Sequence, residues 1–279
     1  MVNMEQDTAL HDAARNGHYQ IAELLIKEAP DLALHSNDVG ESPLFIAVDK
    51  KHVDVAKLIL EVAPNCSFGG RNNMNVLHTA VVRSQDENFI EFLMGKCHST
   101  LSEIDEYGWT PLHYAVHCAV DIFQLFLIDS STAYIRDNEG MSVIHIAARE
   151  GEVVILEMLA YRFPEIWDLQ DNNGQTALHL AVARGKLDSV KFILDFVLSH
   201  DGLINQQDNE GNTALHLKTI QRHDHKIFEL LMKDSRVDKT ATNMEGLTVI
   251  DILLLNKEFG YYEKLPDRLM EMNEISTAC

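Results

Sequence analysis

One four-residue pattern recurs through the whole chain at an almost constant interval. Its copies begin at residues 8, 42, 75, 110, 142, 176, 213 and 248, which places them 34, 33, 35, 32, 34, 37 and 35 residues apart. Four copies read Thr, then Ala or Pro, then Leu and His, and the other four are close variants. A fixed period near 34 residues requires a fold of stacked units, because a unit this short cannot bury its apolar face alone.

The pattern is typical of the start of a helix. Thr, Ser or Asn at its first position is a preferred N-cap, and Pro43 and Pro111 stand at the first helical residue, where the missing N–H costs nothing. The His three residues after the cap can bond back to it, as in a capping box. Apolar pairs further along, such as Leu24-Leu25, Leu58-Ile59 and Phe126-Leu127, predict a second helix with a core-facing stripe.

Turn residues separate the units. A glycine stands two residues before six of the copies, and Asn73 takes its place in the third, so these positions are predicted to adopt positive φ. The six glycines are Gly40, Gly108, Gly140, Gly174, Gly211 and Gly246. The period and the sequence Thr-Pro-Leu-His-x-Ala at 110–115 indicate ankyrin repeats. The predicted fold is therefore all-α, an ankyrin-repeat solenoid of about eight helix–turn–helix units with short β-hairpin fingers. The predicted array spans residues 1–260 and is followed by a tail at 261–279.

Charge and apolar patterning narrow the classes of partner. The chain has 23 basic and 43 acidic residues, a net charge of −20, so nucleic acid is disfavoured and a basic protein partner is favoured. Many proteins have an acidic surface for solubility alone, and this is the stronger of the two explanations for the charge. The most apolar run, at 249–255, is too short to cross a membrane, and we expect no direct membrane insertion by this chain. Four cysteines without regular spacing indicate a reducing, cytoplasmic location.

The histidines are predicted to be structural. Six of the fourteen fall on one repeat position, and a role repeated along an array is not a site. His113 and His117 share a helical face but have no third ligand near them in sequence. No nucleotide-binding, hydrolase or metalloprotease motif is present. The sequence therefore predicts no metal, no cofactor, no catalytic residue and no enzymatic activity.

Repeat arrays bind partners along an extended concave surface, to which the finger tips contribute. The central fingers concentrate large apolar residues of the kind found at interface hot spots. The predicted partner-binding residues are Met74, Tyr107, Trp109, Met141 and Glu139. We expect a protein ligand on the concave face, with apolar side chains among these residues and basic groups toward Glu41, Glu139 and Glu210. Alternatively, Tyr107 and Trp109 only pack neighbouring fingers together.

Four segments carry a closer resemblance, at 64–70, 105–115, 133–137 and 208–216. They resemble plant ankyrin proteins of the accelerated-cell-death type, and the similarity covers essentially the whole chain. The resemblance implies a cytosolic array acting in defence or stress signalling, followed in that family by a membrane domain called PGG that would begin near Cys279. Two functions follow as expectations: a cytoplasmic protein-interaction scaffold, or the regulatory domain of a signalling protein anchored at the cytosolic face of the plasma membrane.

Overall fold

The computed structural model describes residues 2–83, 86–118, 130–196, 201–221 and 225–257. These residues form fifteen α-helices and no extended strand. Through residue 172 the helices are α1 (Ala9–Asn16), α2 (Tyr19–Glu28), α3 (Pro43–Asp49), α4 (Val53–Val62), α5 (Val76–Val82), α6 (Glu87–Lys96), α7 (Pro111–Cys118), α8 (Val143–Glu150) and α9 (Val153–Arg162). The later helices are α10 (Ala177–Ala183), α11 (Leu187–Phe196), α12 (Asp201–Ile204), α13 (Ala214–Gln221), α14 (His225–Lys233) and α15 (Val249–Lys257).

The chain divides into two compact units, Met1–Asn172 and Asn173–Cys279. In the first unit the helices that begin with the tetrapeptide stack in series, so that α1 packs on α3, α3 on α5, α5 on α7 and α7 on α8. In the second unit α10 packs on α13 and α13 on α15 in the same way. The predicted all-α ankyrin array is thus the fold within each unit. The limits 1–260 and 261–279 remain predictions, and residues 261–279 and the pair at 126–127 lie outside the described residues.

The tetrapeptide starts each first helix through a capping box. In α1, Nδ1 of His11 accepts the backbone N–H of Thr8 at 3.0 Å and lies 2.8 Å from its hydroxyl. The same box forms at the caps of α5, α8 and α10. The last copy keeps the geometry without a histidine, because the Asp251 carboxylate accepts the Thr248 N–H at 2.8 Å and its hydroxyl at 2.6 Å.

The second ring nitrogen of these histidines joins one repeat to the next. Since Nδ1 accepts, the proton lies on Nε2, which donates to a main-chain carbonyl of the following finger. His11 reaches Glu41 O at 3.0 Å and His78 reaches Trp109 O at 2.8 Å. In the second unit, His179 reaches the carbonyl of residue 212 at 3.1 Å. Burial lowers the pKa of His78 to about 4 and keeps the ring neutral.

The fingers are tight turns rather than hairpins, which corrects one detail of the predicted fold. The six predicted glycines have φ between 75° and 85°, and Asn73 has φ 58°, as the sequence predicted. At the fourth finger, the turn at residues 105–109 that precedes the fourth tetrapeptide, Oδ1 of Asp105 accepts the N–H groups of Tyr107 and Trp109 at 2.9 and 2.8 Å. The N–H groups of Tyr107 and Trp109 therefore donate to a side chain instead of to the backbone of a neighbouring strand. In the described parts of the chain only isolated antiparallel bridges remain, such as Gly69 with Asn75.

The predicted apolar pairs of the second helices are buried only where a neighbouring helix covers them. Leu58 and Ile59 of α4 are 6% and 0% exposed, and α4 packs against α2. Leu24 holds the same position in α2 as Leu58 in α4, six residues after the N-cap, but it is 62% exposed. The prediction of a buried Leu24 was therefore wrong, because no described helix packs on that side of α2 in the way that α2 packs on α4.

Candidate protein-interaction site

A cavity of about 410 Å³ lies in the first unit, where the fourth finger and the fifth finger (residues 137–141) meet the ends of α7 and α8. It is lined by Tyr107, Trp109, Tyr114, His117, Asp137, Asn138, Glu139, Met141 and Arg149. Four of the five residues predicted from sequence to bind a partner are therefore brought together at one place. A cavity of this volume has room for one or two side chains or for a small ligand.

Aromatic rings form one wall of the cavity. The indole of Trp109 lies edge-to-face with the ring of Tyr114, 4.9 Å between centroids, and with the ring of His117 at 5.5 Å. Tyr107 at the finger tip is 59% exposed. The wall therefore combines a ring fixed by its neighbours with an exposed ring that is free to meet a partner.

Two buried aspartates hold the wall in place. Oδ2 of Asp137 accepts the indole N–H of Trp109 at 3.0 Å, and its Oδ1 accepts the backbone N–H groups of Glu139 and Met141 at 2.9 and 2.8 Å. The hydroxyl of Tyr114 donates to Asp105 at 2.6 Å; burial, and then this bond, raises the pKa of Tyr114. Both oxygens of Asp137 are thus engaged by its own chain. The bond from Trp109 also ties the fourth finger to the fifth, so that the packing role considered for Trp109 is present in the structure.

Met141 and Met74 are placed differently from the prediction. Met141 is only 3% exposed, so its expected exposure at the finger tip was wrong: the turn that binds Asp137 draws this residue inward. Met74 is half-buried and lines a separate cavity of about 440 Å³ with Gly69, Asn73 and Ile104. The predicted cluster is therefore one site around Tyr107 and Trp109, with Met74 outside it.

The carboxylates expected to attract a basic partner are not equally available. Glu41 is already paired with the Arg71 guanidinium, and Glu210 accepts a bond from Asn212 at 3.2 Å. Glu139 is exposed, and its carboxylate has no hydrogen bond or ion pair with any described residue. Among the three, Glu139 is the one at the cavity and the one open to a basic group.

The prediction missed Tyr114, His117, Asn138 and Arg149. His117 and Arg149 each stand seven residues after the N-cap of a first helix, and the finger tips lie at the same edge of the stack. Repeat register was the signal that would have found them, since equivalent positions in neighbouring repeats must lie side by side.

His113 lies directly behind the wall. Its ring is fully buried, with the indole of Trp109 stacked 6.1 Å away, and burial lowers its pKa to about 4. Its Nε2 lies near the Met141 carbonyl but forms no hydrogen bond of normal geometry with a described residue. The ring therefore supports the wall from behind and does not itself line the cavity.

Within the part of the chain that the structure describes, no three His, Cys, Asp or Glu side chains come together in a way that could hold a metal ion. None of the helices described combines the length and the apolar character that a bilayer span requires.

The fold defines a helical-repeat protein with a cavity on the side of its fingers. Residues 1–69, 62–135, 77–166, 120–201 and 144–243 match the family described as ankyrin repeats in three copies, and the chain belongs to the ankyrin-repeat family. Ankyrin-repeat arrays are protein-interaction modules.

Curated relatives match over part of the chain. The human SH3 and multiple ankyrin repeat domains protein 2 is 29% identical over 47% of this chain and 7% of its own length. The ANK repeat-containing protein nipk-1 of Caenorhabditis elegans is 28% identical over 55% of this chain and 29% of its own length. Inversin of Canis lupus familiaris is 28% identical over 55% of this chain and 15% of its own length. The chain thus spans less than a third of the length of each of these relatives.

Proposed function

We propose that this chain is a non-catalytic interaction scaffold that binds a partner protein at the cavity around Tyr107 and Trp109. One observation carries the proposal: a large aromatic ring at a finger tip is 59% exposed beside a formed cavity, in an otherwise acidic chain. Exposed tyrosine next to a fixed indole is the composition of an interface hot spot. Glu139 adds an unpaired carboxylate at the rim, which favours a basic group in the partner.

The cellular setting that we propose rests on the resemblance to plant accelerated-cell-death-type proteins. It supports a cytoplasmic scaffold in defence or stress signalling that presents the concave face of its array to the partner. The second candidate is the cytosolic regulatory part of a signalling protein anchored at the plasma membrane. A transcript that continues past Cys279 into several membrane helices would favour the second candidate over the first.

The test uses Tyr107, because its removal separates binding from folding. Peptides are selected from a displayed random library on the full chain, and their dissociation constants are then measured for the wild type and for Tyr107→Ala. Truncation of a hot-spot aromatic costs about 2 kcal/mol or more, so we expect at least about thirtyfold weaker binding by the variant. Because Tyr107 is exposed, the melting temperature should stay within a degree or two of the wild type.

Trp109→Phe and Met74→Ala serve as controls. Trp109→Phe removes the bond to Asp137 and should lower both stability and binding, whereas Met74→Ala lies outside the cavity and should leave peptide binding unchanged. Peptides that bind Tyr107→Ala as tightly as the wild type would refute the proposed site. Glu139→Gln should slow association and reduce its dependence on salt.

A further inference from the structure

Arg149 lies in the wall of the same cavity with most of its hydrogen-bonding capacity unused. Its side chain is 17% exposed. Nε lies 3.3 Å from a Glu150 oxygen, and Nη1 lies 3.5 Å from the sulfur of Met141. A thioether is a weak acceptor, and a guanidinium has five donors. No other hydrogen bond joins this guanidinium to a described residue.

The first repeat shows how the same position is satisfied elsewhere. Arg15 stands seven residues after the N-cap of α1, as Arg149 does after the N-cap of α8. Its Nη2 donates to Asp7 at 2.8 Å and its Nη1 to Asp12 at 2.8 Å. Arg15 is therefore paired with two carboxylates of its own repeat through both of its terminal nitrogens.

The residue that differs is the one just before the N-cap. In the first repeat this is Asp7, which pairs with Arg15, and in the fifth repeat it is Met141, which offers Arg149 only its sulfur. In the second repeat the position of the arginine is taken by Asp49, which is also paired within the chain, with Arg83 at 2.7 Å. The fifth repeat thus keeps the arginine but has no carboxylate at the position of Asp7, and the carboxylate that Arg149 does meet, Glu150, contacts Nε at 3.3 Å and leaves Nη2 without a partner among the described residues.

This inference deepens the proposed function and rests on it. We propose that the partner supplies the missing carboxylate: an Asp or Glu side chain enters the cavity and binds Arg149, as Asp7 binds Arg15. The neighbouring apolar part of the partner contacts Tyr107 and Trp109. A guanidinium and a carboxylate form paired, directional bonds, and the aromatic wall shields this pair from water.

The charges around Arg149 favour a carboxylate over a phosphoryl group. Asp137 and Glu139 line the same cavity, and Glu150 lies against the guanidinium itself. A group with a charge near −2 doubles the repulsion from these three carboxylates together with the attraction to Arg149, so with three acidic neighbours and one cation the second charge brings no gain. The two oxygens of a carboxylate already match the paired donors of one guanidinium. Asp137 does not take the place of the ligand, because its oxygens accept the Trp109 and Glu139 N–H groups and no hydrogen bond or ion pair joins it to Arg149.

The test uses an array of synthetic nine-residue peptides and the full chain. Each peptide has a central Leu or Trp in a Gly-Ser background, with Asp, Glu, Asn, Gln, Lys or phosphoserine at each flanking position. The wild type should retain the best Asp or Glu peptide at least about tenfold more tightly than its amide counterpart, and Arg149→Met should bind the two equally. Binding of every acidic peptide no better than its amide counterpart would overturn the inference, as would stronger retention of the phosphoserine peptide.

Matched variants separate this inference from folding and from the proposed function. Arg15→Met removes an arginine at the same repeat position outside the cavity, and should leave the acid preference intact. Met141→Asp copies Asp7 into the fifth repeat, and should abolish the preference by pairing with Arg149 internally; melting curves establish that both variants fold. If peptide binding requires Tyr107 but the preference for acidic over amide peptides does not depend on Arg149, this inference is wrong and the proposed function is unaffected. Loss of the Tyr107 requirement would refute the proposed function instead.

Discussion

At the scale of single residues, the backbone conformation of Gly174 and the close approach of a neighbouring turn together require a residue without a Cβ. Its φ is +75°, and a Cβ built on it would lie 2.5 Å from Oδ1 of Asn209 and 2.8 Å from its backbone nitrogen. We expect Gly174→Ala to lower the free energy of unfolding by about 1–3 kcal/mol, since the backbone strain and the clash act together. Urea denaturation monitored by circular dichroism measures the change.

Substitutions at two other glycines separate the backbone strain at Gly174 from the steric clash of the added Cβ. Gly185 has φ +70° but nothing within 4 Å of an added Cβ, so Gly185→Ala should show the backbone strain alone, about 1–2 kcal/mol. Gly95 lies in α6 with neither constraint, and Gly95→Ala should be neutral or stabilise by up to about 1 kcal/mol. Equal effects at Gly174 and Gly95 would contradict the role assigned to the turn.

At the scale of helices, Leu24 and Leu58 provide a matched comparison. They share one position in α2 and α4 but are 62% and 6% exposed. Leu58→Ala should destabilise the chain by about 2–5 kcal/mol, because it opens a cavity between packed helices. Leu24→Ala should change stability by no more than about 0.5 kcal/mol. Chemical denaturation of the two variants checks this, and a large loss with Leu24→Ala would mean that its side of α2 is covered in solution.

The same comparison explains which features the sequence could predict. Capping boxes and positive-φ turns depend on residues three to five apart, so the tetrapeptide and Gly174 were enough to place them. The burial of Leu24 and Met141 depends on whether another helix or a neighbouring turn covers them, and nothing within a single repeat encodes that. Repeat register could have placed Arg149 beside the fingers, but its unused donors are evident only by comparison with Arg15, whose partners are set by the fold.

At the scale of the whole molecule, the buried histidines should make stability depend on pH. Burial holds the pKa of His78 and His113 at about 4, against an ordinary value of 6.5. Between these values the unfolded chain binds protons that the folded chain does not, so the folded state is fully favoured above pH 6.5 and loses stability as pH falls toward 4. Each histidine should remove about 1.4 kcal/mol per pH unit in that window.

Melting temperatures and urea midpoints between pH 7.5 and 4 test this expectation. The double variant His78→Asn, His113→Asn should be less stable at pH 7.5, because two caps are weakened, but its stability should fall less steeply with acid. His35→Asn, at an exposed position, should leave the slope unchanged. An identical slope in the wild type and the double variant would show that other groups govern the acid response.

The histidine bonds between repeats also bear on how such a protein can change its specificity. Nε2 donates to a main-chain carbonyl, and the carbonyls used by His11, His78 and His216 belong to Glu41, Trp109 and Leu247. An acidic, an aromatic and an aliphatic side chain thus occupy one repeat position, and the main-chain carbonyl of each residue accepts the same bond from a histidine Nε2. Because that bond ignores the identity of the side chain, this position can accumulate substitutions while the repeats stay joined. Selection for a new partner can therefore change the side chains at this position of the fingers without breaking the bond that joins neighbouring repeats.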